Sequence, residues 1–481
     1  MPAWYERFGE LYLAYNLDTS NTNGFFWSSA AVGPKPRPHG DVNVWLATRG
    51  NGSGPQFRAL GSYARHYGSW IDALSDANFG RYGKEPRLMI APVNPNSGVV
   101  ANPVDYQRLW YDSNTGAALY GSVWRPIPPA GYVALGDVWA ADWNRKPPLN
   151  AIWCVKQGAL GGHTYVRRAE LRQQVWKDQG TGGNAGDVAI WRVDVPPVVE
   201  DSTERLLIPP NTVTTVNNYS TPAPTATSWI LDVPAGVEKQ PNPSPPPLTS
   251  YDRPTSPVVV TDRIVRVPFT GVRDDHRDLE WKVANSPFYR LHRRVAYNVA
   301  IFRDNRHGNS TVPDEESVTT GLSASASEFY FEKTTIVVSA SAGISFKGLS
   351  AEVNSSVTRE VGYERRTSVA SLELKTTTHG LVTKPRSSGV LWVATHQLAP
   401  YRADGSPVTD DLPTYQFPHY ASANFPLDAV AEHIPPAAQP DPQFQQSPDI
   451  DWETSGDIPG FDGEELTKKL ELARQEMPEE P

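Results

Sequence analysis

One phrase recurs inside the first two hundred residues and constrains the fold more than any other feature. LWYDSNTGAALYGSVWRP, Leu109 to Pro126, parallels VWKDQGTGGNAGDVAIWRV, Val175 to Val193: each runs Trp, one residue, Asp, a Thr-Gly turn, and then Gly-Ser/Asp-Val before another Trp. The ending returns a third time as GDVNVW, Gly40 to Trp45, and a companion phrase appears as RALGSY (Arg58 to Tyr63) and VALGDV (Val133 to Val138). A single unit of this size cannot bury its own apolar face, so three related β units predict a pseudo-threefold β-prism or barrel. With 45 prolines among 481 residues the chain favours short elements joined by turns, and the predicted class is all-β.

A second pattern lies further on. In TTIVVSASAGISFKGLSAEVNSSVT, Thr334 to Thr358, apolar residues alternate with polar ones: Ile336, Val338, Ala340, Ala342, Ile344 and Phe346 share a face. After Gly348 the parity resets, with Leu349, Ala351, Val353 and Val357 apolar. Side chains alternate faces along a strand, so the segment 335–358 reads as an amphipathic hairpin turning at Lys347–Gly348. A bilayer-crossing strand needs about 9–11 residues with apolar side chains toward lipid and polar ones toward the lumen. Both arms meet that length, and Lys347 and Glu352 fall at the tip and on the polar face. The other reading is a half-buried sheet that never meets a membrane, since alternation is how such sheets are ordinarily written. The small Ala340, Ala342 and Ala351 favour the first reading, because a sandwich core wants larger residues.

The domain plan follows from composition shifts. Residues 1–236 form a prism-like recognition domain, 237–257 a proline-rich extended linker, and 258–432 an elongated Ser/Thr-rich β module carrying the hairpin. Residues 433–481 form an acidic Pro/Gln-rich tail that could hold one short helix over 464–477. The net charge of −9, with no Lys/Arg-rich block, argues against nucleic acid as a partner. Glu6, Arg7 and Glu10 interrupt what a signal peptide needs, and no apolar run of membrane-helix length occurs. The chain is therefore expected to be made as a soluble cytosolic protein that acts, once released, at a target-cell membrane.

Two resemblances add to this reading. WRPIPPAGYVALGDVW, Trp124 to Trp139, with the following NAIWCVKQG and the later PPNTVTTVNNYSTPAPTATSWILDVP, resembles the vacuolar protein sorting-associated protein 62-type domain over roughly 36–234. The Ser/Thr-rich strands around the hairpin resemble aerolysin-like β-pore-forming toxins, and SPFYRLHRR and GISFKGLSAEVNSSVTREVGYE resemble bacterial insecticidal-toxin-like proteins. These imply a protein that binds a membrane through a glycan or lipid receptor, assembles as a homo-oligomer and inserts its hairpin. The alternative is a non-lytic carbohydrate- or lipid-binding two-domain adaptor.

Catalytic motifs are missing: there is no HExxH, P-loop or G-x-S-x-G, so no enzyme and no cofactor is expected. GTGGNA, Gly180 to Ala185, follows a turn and reads as a hairpin loop. Asp274, Asp275 and His276 could ligate a metal, but their interleaved arginines favour a salt-bridged loop, and no metal is expected. A single Cys154 excludes an internal disulfide. Candidate ligand-binding residues are Trp110, Asp112, Trp176 and Asp178 before the Thr-Gly turns, with Asp41, Asp137 and Asp187 of the Gly-Asp-Val phrase. Sugars are held by Asp hydrogen bonds and aromatic stacking, while the competing role for these residues is core packing and turn formation.

Overall fold

The computed structural model describes residues 5–16, 22–27, 41–47, 55–67, 86–112, 121–140, 142–171, 173–179, 186–194, 205–220, 228–239, 244–255, 259–339, 343–346, 349, 353, 357–358, 361–362, 374–427 and 432–436. Strands dominate, as expected of an all-β chain. Residues 1–434 form one compact unit. The expected tail helix over 464–477 lies outside the described residues.

Each repeat phrase supplies the centre of a three-stranded antiparallel sheet. Asp41–Ala47 lies between Thr22–Trp27 and Tyr63–Tyr67, Ser122–Ile127 between Asp105–Tyr111 and Val138–Ala140, and Ala189–Arg192 between Gln174–Lys177 and Val213–Val216. Their apolar faces meet in one core, to which Val42 and Val44, then Trp110, Val123 and Trp139, then Trp176, Ile190 and Val213 contribute in turn.

The three units are locked at their common centre by main-chain atoms. Ser62 N donates to Asp137 O at 2.8 Å, Asp137 N to Val213 O at 2.9 Å, and Val213 N to Ser62 O at 3.1 Å, closing a triangle. Such an approach leaves no room for side chains: a Cβ on Gly61 would sit 2.8 Å from Gly136 Cα, and one on Gly136 would sit 2.6 Å from Thr212 Cβ. Two rungs reinforce the triangle. Ser62 Oγ accepts from Trp139 N at 3.0 Å and Asp137 Oδ2 accepts from Thr215 N at 2.6 Å. At the third place stands Val213, which has no side-chain acceptor. The arrangement is compatible with the expected prism. It also reveals the third companion phrase, around Thr212 and Val213, whose lack of glycine hides it in the sequence.

The second half is built on a five-stranded antiparallel sheet in the order Glu238–Lys239, Val260–Pro268, Phe288–Asp304, Ser388–Tyr401 and Tyr415–Phe425. A three-stranded sheet of Val312–Thr320, Lys375–Thr383 and Glu432–Ile434 accompanies it.

The two halves are not separated as the sequence suggested. Glu238–Lys239, in the expected linker, joins the five-stranded sheet, Leu248 is buried beside Tyr297, Val390 and Trp392, and Tyr251 packs edge-on against Phe425. The N-terminal hairpin Tyr5–Phe8/Leu11–Asn16 likewise sets Phe8 and Tyr15 on Phe288 and Phe269, with Glu6 paired to Arg290 at 3.2 Å. Apolar side chains spaced along the proline-rich segment therefore bind it to the five-stranded sheet, where composition alone indicated a free spacer.

Candidate functional site: an excursion from a paired stem

Val312–Thr320 and Lys375–Thr383 form an antiparallel stem, from Val312 opposite Thr383 to Thr320 opposite Lys375. Their Ser and Thr side chains meet across the outer face, Thr319 with Thr376 at 2.8 Å and Ser317 with Thr378 at 3.4 Å. Val318 and Thr320 on one strand and His379, Leu381 and Thr383 on the other point inward and are buried. Everything between, residues 321–374, is an excursion from the end of this stem.

The excursion begins as a helix, Ala324–Thr334, because Ser323 caps its first turn by accepting from Ala326 N and Thr335 closes it in a left-handed conformation. Tyr330 anchors this helix: its buried hydroxyl donates to Pro413 O at 2.5 Å and accepts from Leu398 N at 3.3 Å. A short ribbon follows, Ile336–Ser339 antiparallel to Gly343–Phe346, with Ile336 opposite Phe346 and Val338 opposite Ile344. Ile336, Val338, Ile344 and Phe346 are all buried in the main core. Yet the ribbon pairs with no other described strand, so its hold on the rest of the protein is through side chains.

This corrects the expected hairpin. The ribbon pairs Ser339 with Gly343, a register that rules out a turn at Lys347–Gly348 in this state, and the expected second strand, Leu349 to Val357, is replaced by helical backbone at 353, 357, 358 and 361. The reason is visible in the spacing: Val353, Val357 and Val361 recur every four residues, and all three are buried. Read by parity, the first two looked like strand residues. Leu349 is half-buried and lies against Gly271, where a Cβ would come within 2.9 Å of its side chain. The placement of Ala340, Ala342, Lys347, Gly348 and Ala351 lies outside the described residues.

A three-residue strap, Glu432–Ile434, covers part of the far edge of Lys375–Thr383, pairing Gly380 with Ile434 and Val382 with Glu432. His433 and His379 meet beneath it, Nε2 to Nδ1 at 3.1 Å, while His379 Nε2 bonds Thr377 Oγ1 at 2.8 Å and its ring lies 4.0 Å from that of Tyr420. Burial holds both imidazoles below the ordinary histidine range, and for His379 the neighbouring His433 adds to the effect.

In the first half, the expected ligand residues turn inward. Trp110 and Trp176 belong to the three-sheet core. Asp112 and Asp178 are buried, and Asp178 Oδ1 accepts from Val188 N and the Tyr219 hydroxyl, both at 2.9 Å. Asp137 is bound by Arg125 at 2.9 Å as well as by Thr215 N. Asp187 is exposed, and Asp41 begins its central strand. These tryptophans and three of the aspartates thus serve packing and turn formation. Asp274 is equally occupied, held by Arg402 and Tyr289 at 2.6 and 2.8 Å, and among the described residues no group of His, Cys, Asp and Glu has metal-site geometry. Cys154 is buried, which pushes its thiol up to about 12. No helix among the described residues is long and apolar enough to cross a membrane.

Two segments of the chain, one in each half, match family models. Residues 259–409, which include the stem and excursion, match the family model described as Insecticidal Crystal Toxin, P42, and this half is toxin-like. Residues 55–193 match the model of Vacuolar protein sorting-associated protein 62. Among solved structures the chain is similar to GNIP1Aa from Chromobacterium piscinae, with 22% identity and a TM-score of 0.33 over 46% of this chain and 37% of that one. A second likeness is to Cry35Ab1, with 12% identity and a TM-score of 0.28 over 68% of this chain and 89% of that one. The first likeness therefore spans little more than a third of the GNIP1Aa chain. No curated protein matches.

Proposed function

We propose that this is a soluble pore former of toxin type: the first half engages a receptor on a target membrane, copies assemble into a ring, and each contributes a hairpin drawn from residues 321–374. One observation carries the reading. Continued past its end, the stem register that sets Thr320 opposite Lys375 brings Lys347 opposite Gly348, twenty-seven residues along each arm (320 to 347, 375 to 348). That meeting point is where the amphipathic parity of the sequence resets. In the continued register Val338 faces Val357, Ala342 faces Val353, Ile344 faces Ala351 and Phe346 faces Leu349, so both arms turn their apolar side chains the same way.

The compact form uses an incompatible register, since its ribbon sets Ser339 opposite Gly343. An isolated two-stranded ribbon is marginal on its own. What holds it is burial of Ile336, Val338, Ile344 and Phe346 beside Val353 and Val357, each stabilising by about 1.5–3 kcal/mol, with two hydroxyl bonds, from Ser327 Oγ to Val338 O and from Thr358 Oγ1 to Ile344 O. Lipid offers the same side chains an equivalent apolar surrounding, and hairpins of adjacent copies satisfy one another's backbone edges in a closed barrel. Val312–Thr320 is already an edge strand among those described, and Asp314, Glu315 and Glu316 lie along it, charges of the kind that keep an edge from pairing prematurely.

The test locks the compact register. Val337→Cys with Ser345→Cys places a cysteine pair at positions directly opposite in the ribbon. The oxidised protein is expected to release at least tenfold less dye from liposomes than the reduced one. Equal leakage in both states would falsify insertion through this segment, and absence of leakage from the unmodified protein at any dose returns the reading to a non-lytic adaptor.

A further inference from the structure

The tryptophans expected to bind ligand are buried, but another is not. Trp143 is 49% exposed, and it is the sole exposed tryptophan among the residues whose side chains are described. It follows the strand Val138–Ala140, on a loop that is fixed in place. Asp142 Oδ1 accepts from Asn144 N and Arg145 N at 2.8 and 3.2 Å, and Asp142 O accepts from Ser122 Oγ at 2.5 Å, the same hydroxyl that receives Trp124 Nε1. The ring is thus held out on a stapled turn.

Two neighbours complete a surface. Tyr111 lies with its ring centroid 6.4 Å from that of Trp143 at an interplanar angle of 45°. Arg108 lays its guanidinium 4.4 Å above Tyr111 and donates from Nη1 to Asn144 Oδ1 at 2.8 Å and Trp143 O at 3.5 Å. Both bonds leave from Nη1. The Nε–Nη2 edge, the side-on pair that fits a carboxylate with two parallel bonds, has no partner among the described residues. The Asp142 carboxylate is occupied by its own loop, and Lys146 neutralises Asp105, so among the described residues no acidic group competes for Arg108.

From an exposed indole, a tilted phenol and a guanidinium edge held between them, we infer a saccharide site, specific for a pyranose bearing a carboxylate. The sugar's C–H face stacks on Trp143, and its carboxylate takes the Nε–Nη2 edge of Arg108. Aromatic planes with a few fixed polar groups suit sugars, whereas lipid acyl chains would need a wider apolar patch. This deepens the proposed recognition role of the first half and rests on it.

The experiment titrates the full-length protein with a glucuronate-containing hyaluronan oligosaccharide and with neutral chitohexaose, following tryptophan fluorescence and calorimetry. Trp143→Ala is expected to weaken hyaluronan binding at least tenfold. Arg108→Gln is expected to weaken it by a similar factor while leaving chitohexaose unchanged. Both variants should keep the unfolding midpoint of the unmodified protein, and binding of all three proteins to glycan-free phosphatidylcholine vesicles is measured alongside. Unaltered hyaluronan affinity in Trp143→Ala, or binding to those vesicles that depends on Trp143 with no sugar binding at all, overturns the site. Lost sugar affinity in a protein that never causes leakage instead leaves the site standing and removes the pore.

Discussion

The molecule buries β-structure in two ways that differ in what they permit. In the first half, three sheets share a core and are also tied to one another by a closed triangle of main-chain bonds through Ser62, Asp137 and Val213. In the second, the ribbon Ile336–Ser339/Gly343–Phe346 is just as well buried, but among the described residues no strand-to-strand bonds join it to a neighbouring sheet. Burial alone therefore does not distinguish a fixed element from a releasable one. The distinction lies in whether the backbone is shared, because side-chain burial can be exchanged for another apolar environment and a main-chain triangle cannot.

The largest effect should come from disturbing what surrounds the triangle, a side-chain rung in one variant and a close glycine contact in the other. Asp137→Ala removes an acceptor for Arg125 and for Thr215 N and is expected to cost about 3 kcal/mol of stability, read as a lower urea midpoint. Gly61→Val, forced against Gly136, should act in the same direction. If either variant unfolds like the unmodified protein, the supposed rigidity of the first half is wrong.

A smaller effect is expected at the excursion. Tyr330→Phe takes away the hydroxyl that joins the helix Ala324–Thr334 to Pro413 and Leu398, at about 1–2 kcal/mol. Under the proposed function it should quicken the onset of leakage severalfold. An unchanged lag would mean that this helix does not restrain the segment.

The mildest concerns pH. His379 and His433 face each other and Tyr420, with Thr377 beside them, Glu316 opposite His379 in the stem and Glu432 next to His433. Both imidazoles titrate below the ordinary 6.5, so the stability they lend the strap is present above that pH and is lost as pH falls from 6.5 through their depressed values. The released form binds the extra protons. His292 and His396, pushed down to about 4, stay neutral over most of that range. Proteolysis or hydrogen exchange at Glu432–Ile434 should accordingly rise in mild acid, and His433→Gln should flatten the profile. A profile that keeps its slope in that variant assigns the acid sensitivity elsewhere.

The sequence disclosed the architecture of the first half better than its chemistry. The Gly-Asp/Ser-Val phrase marks the central strands because the shared core takes its valine, Val42, Val123 and Val188, at equivalent places. The same demand sends Trp110 and Trp176 inward, so the repeat that locates the fold also argues against reading those residues as a site. Trp143 lies outside the repeat, so nothing in the spacing singles it out. In the second half, alternation identified Ile336 to Phe346 as extended, but Val353, Val357 and Val361 satisfy both a period of two and a step of four, and packing in this state selects the helix. Neither the histidine pair nor the strap could be found from spacing, since His379 and His433 are fifty-four positions apart.

Because the central triangle employs amides and carbonyls alone, it makes almost no demand on residue identity beyond slimness where Gly61, Gly136 and Thr212 crowd together. Copies of the unit are then at liberty to drift until no phrase survives, while the symmetry endures. Ancestry in such a domain is better sought in two or three narrow positions at its axis than in its conspicuous tryptophans.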